Sequence, residues 1–286
     1  MQRPTLIRSI GAATALVFGL LAYTQTAQPQ AARPLTTEKV KPNLYRISGD
    51  GGNVAAYLTD GGVVLVDDMY DRDFAAIMNE VRKLSGQPVR FVLNTHQHDD
   101  HAGGNGPMRN QELAQVVAQE NVRTNLAAMG YPDANLPSIT FTDHTAIHIG
   151  GKTVEMYYFG RGHTGGDSII LFPELKTIHS GDLFLSAGRM FVDYAQGGSA
   201  LDWPSTLDGA LALDFDTVIP GHGPVGGRAD VQKWRDDFAK MNQRMQSMVR
   251  NGATKAEISK VMDSDYGWPE GGLAIAQVDA FIDELR

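Results

Sequence analysis

The 286-residue chain has no cysteine. Disulfides, thiolate metal ligands, a cysteine nucleophile and a lipidated N-terminal cysteine are therefore excluded, and any metal site must be built from His, Asp and Glu. A basic excess is lacking too. Against 33 Asp and Glu stand only 25 Lys and Arg, a formal charge of −8 that argues against a polynucleotide partner. Long apolar runs are scarce: the one near the N-terminus, residues 10–23, falls short of the roughly 20 residues that span a bilayer comfortably. With 31 Gly, 13 Pro and 20% charged residues, collagen, coiled coil and disorder are excluded. The 42% hydrophobic fraction is enough for one large domain or two small ones.

Arg3 and Arg8 precede the apolar run, and a polar, Pro-containing stretch follows it at 24–34. A basic start, a short apolar region and small residues describe a secretory signal peptide. We assign it to residues 1–32, cut between about 27 and 32, with Ala27, Ala31 and Ala32 as candidate last residues. Export to the periplasm or the medium follows, with no stable membrane insertion after cleavage. An uncleaved N-terminal anchor is the alternative.

From residue 44 onward, β-rich and helical runs alternate. Strands are expected at 44–47, 53–59, 63–66, 91–93, 140–141, 146–149, 153–159, 168–172, 177–180 and 217–219, separated by turns such as Gly51-Gly52 and Asp60-Gly61-Gly62. Helical spacing covers 71–84, where Phe74, Ile77, Met78 and Val81 form one stripe, and a polar-faced helix is expected over 111–129. Further helices are expected at 203–213, 230–249, 255–262 and 272–285; the methionines from Met241 to Met248 read as helix packing. Two strand-rich halves with outer helices predict a two-sheet sandwich flanked by helices.

The densest chemistry is Thr95-His96-Gln97-His98-Asp99-Asp100-His101, directly after a buried strand. His96 and His98, two apart on an extended or turning backbone, can point the same way. Three imidazoles and a carboxylate so close together need partners when buried, which a metal supplies. A solvated polar loop is the bland alternative. Three more candidates sit at strand ends beside glycine: His163 in Gly162-His163-Thr164, Asp182 in Gly181-Asp182, and His222 in Gly221-His222-Gly223. Together they provide enough ligands for two cations of borderline hardness.

These motifs, in this order over residues 40–225, resemble the metallo-β-lactamase superfamily. The resemblance implies an α/β fold, the αββα four-layer sandwich, spanning 33–225, with a helical C-terminal segment at 226–286 packed on the same domain. It also implies that His96, His98 and His163 hold one metal and that Asp100, His101 and His222 hold a second, with Asp182 bridging. Asp67 matches a strand-end acid that supports the histidine loop from behind; a turn aspartate is the alternative. The implied cofactor is two divalent ions, zinc first, with iron or manganese as alternatives. The implied enzyme is a hydrolase directing a metal-held hydroxide at a small-molecule ester, thioester, lactone or lactam, with Asp100 orienting the nucleophile. A β-lactamase of weak or broad activity is one alternative, although lactamases usually place cysteine or serine where Asp182 stands. An iron oxidoreductase such as a sulfur dioxygenase is another. Arg189 is the nearest cation after Asp182.

Around this edge, Phe191 and Tyr194 are expected to give the pocket an apolar wall with a hydroxyl handle; aromatic packing under a long loop is the alternative. The segments 50–53 and 103–106 are further rim candidates. His144 and His148 read as surface strand residues and His179 as facing away from the site. Asp99 and Asp167 read as bystanders.

Overall fold

The computed structural model describes residues 34–187, 191–266 and 273–286. The expected leader and Arg189 lie outside them. The first sheet takes its strands in chain order: β1 (Thr36–Lys41), β2 (Leu44–Ser48), β3 (Val54–Thr59), β4 (Gly62–Val66), β5 (Val89–Leu93), β6 (Gln115–Gln119) and β7 (Ile139–Phe141). Pairing is antiparallel from β1 to β4 and parallel from β4 to β7. The parallel steps need crossovers, supplied by α1 (Phe74–Leu84) between β4 and β5, by α2 (Asp99–Ala102) and α3 (Asn105–Gln111) between β5 and β6, and by α4 (Glu120–Ala128) between β6 and β7. The second sheet orders β13-β12-β11-β10-β9-β8, from β8 (His144–Ile149), β9 (Lys152–Tyr157), β10 (Ile169–Phe172), β11 (Thr177–His179), β12 (Thr217–Ile219) and β13 (Gly226–Gly227). Four helices follow on its outer side: α5 (Trp203–Leu211), α6 (Arg228–Arg250), α7 (Lys255–Tyr266) and α8 (Leu273–Glu284).

The period-2 geometry of strands builds the layers. In β3 and β4, Ala55, Tyr57, Val64 and Val66 face inward, where they meet Met156, Ile170 and Phe172 of the second sheet. Their neighbours Val54, Ala56, Val63 and Leu65 face outward and pack on Ile77, Met78 and Val81 of α1. In β10 the same alternation sends Ile170 and Phe172 inward, and Ile169 and Leu171 outward against Trp203, Phe238, Met241 and Met245. Apolar faces buried on both sides of each sheet make this a four-layer αββα sandwich. Helices α6 and α8 share the outer cluster with α5, so the C-terminal segment contributes Val231, Phe281 and Leu285 to the same core. From residue 34 onward the chain is one compact unit.

The single helix expected over 111–129 is a strand followed by a helix. Val116, Val117 and Ala118 of β6 are wholly buried, between parallel neighbours on both sides. Such a strand carries a continuous apolar run rather than alternation, so periodicity does not announce it.

Candidate metal centre

Every chemistry-bearing loop leaves the sheets at one edge. His96 follows β5, and the chain then folds into α2, where the His98 carbonyl accepts from the amides of His101 and Ala102. Asp67 follows β4 in the left-handed region, with φ of 61°. Its buried carboxylate accepts from Thr95 N and Thr95 Oγ1, each at 2.7 Å, and from His101 Nδ1 at 2.8 Å. A buried carboxylate is costly unless its lone pairs are met; here they tie the start of the histidine loop to its end. Asp67 thus sits behind the histidines.

The outward nitrogen of each of four imidazoles is occupied. His96 Nδ1 donates to Thr95 Oγ1 at 3.0 Å, His98 Nε2 to Asp193 Oδ2 at 2.9 Å, His101 Nδ1 to Asp67, and His163 Nδ1 to the Phe191 carbonyl at 2.7 Å. For His96, His98 and His163, a proton on the outer nitrogen leaves a lone pair on the inner one. The inner nitrogens then converge: His98 Nδ1 lies 3.2 Å from His96 Nε2 and 2.9 Å from His163 Nε2. Lone pairs facing one another at these distances repel unless a cation lies between them. Ligand nitrogens about 2.0–2.1 Å from a tetrahedral ion would stand about 3.3 Å apart, so the donor set fits a metal.

Beside it lies a second set. His222 Nε2 is 3.3 Å from His101 Nε2 and 3.2 Å from Asp100 Oδ2. Asp182 reaches toward both: Oδ2 is 3.5 Å from His163 Nε2, while Oδ1 is 3.2 Å from His101 Nε2 and 3.6 Å from His222 Nε2. Oδ1 is buried and accepts no hydrogen bond, which a bridging contact to a metal would remedy. Among the described residues, those that could hold ions form three overlapping groups: His96, His98 and His163; His96, His101 and Asp182; Asp100, His101 and His222.

The electrostatics divide the histidines. Burial depresses His96 well below the ordinary imidazole range and pushes His163 down to about 4. His101 is also buried, but the carboxylates of Asp182 and Asp100 outweigh burial and hold it well above its ordinary value. For Asp182 and Asp100 burial likewise opposes the charge, and His101 overcomes it. Asp182 falls well below the carboxylate range and Asp100 to about 2.

The loops are fixed from behind. His179 is buried beneath the site, where its Nε2 donates to the Asn53 carbonyl at 3.0 Å and its Nδ1 accepts from Gly181 N at 3.1 Å. Asn53 N donates to the Gly221 carbonyl at 2.7 Å. Gly221 allows the His222 loop to pass against Asp182, since a Cβ there would lie 1.9 Å from Asp182 Oδ1; one on Gly52 would lie 2.2 Å from the His101 ring. Asp167 is buried and accepts from Thr164 N at 2.8 Å and Thr164 Oγ1 at 2.6 Å, fixing the turn after His163. It is therefore a support rather than a bystander, and burial pushes its carboxyl up to about 7. Asp99 is exposed at the start of α2, and His144 and His148 are exposed on β8.

The aromatic pair expected at the pocket divides. The Phe191 ring lies 6.0 Å from that of His98 and 5.8 Å from that of His163, so it borders the site. Tyr194 is a correction: it packs on the outer core, and its hydroxyl donates to Glu284 Oε2 at 2.9 Å, away from the histidines. The handle expected of Tyr194 is spent on the C-terminal helix. Sequence reading missed Asp193 as the partner of His98, because a lone aspartate in an irregular loop gives no periodic or motif signal.

Comparison with known proteins gives the family. Residues 48–222 match the model of the metallo-beta-lactamase superfamily. A metallo-beta-lactamase type 2 from Elizabethkingia meningoseptica is 24% identical over 246 residues, covering 82% of this chain and 96% of the relative. Metallo-beta-lactamase IND-1 from Chryseobacterium indologenes is 26% identical over 178 residues, 61% of this chain and 73% of the relative. Among solved structures, a metallo-beta-lactamase from Pontibacter korlensis superposes with a TM-score of 0.65 at 23% identity, over 72% of this chain and 99% of its own. The DIM-1 metallo-beta-lactamase gives 0.65 at 22% identity, over 73% and 99%. At these identities the structures speak for the fold.

Proposed function

The chain belongs to the metallo-beta-lactamase superfamily and is a metal-dependent hydrolase of that fold, and we propose that it works with two divalent ions on a small carbonyl substrate. His96, His98 and His163 would hold the first ion; Asp100, His101 and His222 would hold the second. The observation that carries the proposal is Asp182, whose two oxygens face the two sets and whose Oδ1 lacks a hydrogen bond. Imidazole and carboxylate donors suit zinc, with iron and manganese as alternatives.

Two such ions would bring the pKa of a shared water toward about 7 and polarise the substrate carbonyl. The chain's own side chains supply the rest. Asp100 is ionised at neutral pH and only part-buried, so its carboxylate can orient the attacking water and accept its proton at Oδ2. The Phe191 ring, beside His98 and His163, would line the substrate side as an apolar wall. No serine or cysteine nucleophile is needed.

Esters, thioesters and lactones are the proposed substrates. A β-lactam is the second reading, favoured by the relatives being metallo-beta-lactamases; against it stands the carboxylate of Asp182 at the bridging position. A screen of purified, metal-loaded protein on lactone, thioester, phosphoester and β-lactam substrates tests both. Turnover of an ester-type substrate in preference to a β-lactam supports the proposal, and the reverse order supports the second reading.

The proposal takes 33–225 as the unit that supplies the ligands and 226–286 as its helical buttress, in a chain exported after removal of 1–32 or held by an uncleaved N-terminal anchor. Among the described residues no helix is long and apolar enough to cross a membrane. N-terminal sequencing of the natural product separates the two: a start between 28 and 33 supports cleavage, an intact Met1 the anchor.

A further inference from the structure

The last helix reaches the metal edge through one carboxylate. Glu284, at the end of α8, accepts from Tyr194 Oη at 2.9 Å and from Ala200 N at 3.0 Å with Oε2, and from Ser199 Oγ with Oε1. Burial, together with the neighbouring Glu284, pushes the Tyr194 hydroxyl far above its ordinary pKa, so it donates across the physiological range. The helix is anchored by Val278, Phe281, Ile282 and Leu285, which enter the same apolar cluster as Trp203 and Phe238.

The loop that Glu284 grips, 191–200, is the one that orients two imidazoles. Asp193 Oδ2 holds His98 Nε2, and the Phe191 carbonyl holds His163 Nδ1. The backbone repeats the clamp: Asp193 N donates to the His163 carbonyl and Ser199 N to the Gly162 carbonyl, each at 2.8 Å. On the far side Asn242 of α6 donates to the Ala200 carbonyl at 2.5 Å. Among the described residues, no hydrogen bond joins Asp100, His101 or His222 to this loop. The grip is therefore one-sided: it bears on the His96–His98–His163 set alone.

We infer that Glu284 is a positioning residue for the first-ion ligands, acting through Tyr194, Ser199 and Ala200 to hold the loop that aims His98 and His163. This rests on the two-ion reading of the site. Removing Glu284 should loosen the loop in the metal-free chain and weaken the first ion selectively. Partners that orient metal ligands from behind are typically worth 10–100-fold in affinity; one step further out, about tenfold is expected.

The test is stepwise cobalt(II) titration of the full chain, following visible absorption and ions bound, with hydrogen exchange of 191–200 in the metal-free state. The variants are Glu284→Ala, Glu284→Gln, which keeps an acceptor for Tyr194 and Ala200, and Ile282→Val, which weakens α8 packing while keeping the carboxylate. The expected order of first-ion affinity is wild type above Glu284→Gln above Glu284→Ala. The second step should be unchanged, exchange of 191–200 should quicken in both Glu284 variants, and Ile282→Val should bind like wild type. Should Glu284→Ala fail to fold, Glu284→Gln carries the comparison alone. Unaltered first-ion affinity in the Glu284 variants, or an equal loss in Ile282→Val, would overturn the inference. A wild-type chain that takes up no cobalt would overturn the two-ion reading itself, and the inference with it.

Discussion

His98 Nε2 donates to Asp193 Oδ2 at 2.9 Å, across 95 residues of sequence. That bond decides which nitrogen of His98 turns inward: with Nε2 committed, Nδ1 faces His96 and His163. His98 in turn outweighs burial and draws the Asp193 carboxyl below its ordinary range. Asp193→Ala should therefore lower first-ion affinity about 10–100-fold, measured by competition with a chelator. Wild-type affinity in the variant would return Asp193 to a simple loop role.

Asp100→Asn should cut kcat/KM by on the order of 10²-fold or more, because under the proposed mechanism it would remove both a charged ligand and the proton acceptor. His148→Ala, on an exposed strand position whose ring meets Thr153 Oγ1, should leave it unchanged. Both are assayed on the substrate found by the screen, with metal content measured in parallel. Equal activity of Asp100→Asn at full loading would contradict the role given to this carboxylate.

The two ions should answer differently to pH. In the metal-free chain Asp182 and Asp100 hold His101 protonated above the usual imidazole range, overcoming burial, so an ion at the second set must displace that proton. Its affinity should rise with pH, by up to about tenfold per unit, until the raised pKa of His101 is passed. His96 and His163 are depressed by burial and hold no such proton at neutral pH, so they add no slope to the first ion's affinity there. Stepwise calorimetric titrations at pH 6, 7 and 8 check this; parallel slopes for both steps would contradict it.

Gly221→Ala should disturb the site without replacing a ligand. The added methyl would lie 1.9 Å from Asp182 Oδ1 and 2.7 Å from the Gly181 backbone, so the carboxylate would have to move and the backbone with it. Loss of at least one bound ion, together with a lowered thermal midpoint, is expected in elemental analysis and melting. Full loading with an unchanged midpoint would mean the loop relaxes freely.

Much of this was legible in the sequence, and the limits have physical causes. The histidine run, and the glycine-flanked His163, Asp182 and His222, stand out because few structural needs place such residues together at strand ends. Strands with one polar boundary, such as β12 at 217–219, are read within a residue. Strand β6 was hidden because it is buried between parallel neighbours. Asp193 and Glu284 were hidden for another reason: each acts on a partner about 90 residues away, and single acids in a loop or at a helix end carry no local signature. Tyr194 was misplaced because its partner, Glu284, is visible only once α8 has docked.

The two-ion centre is the claim on which the rest depends. Its most direct test is elemental analysis of the chain after metal removal, reloading with zinc and passage through a desalting column. The account predicts two ions per chain, falling to one when His222 and Asp100 are both replaced by alanine. At most one ion in the wild-type chain would contradict it.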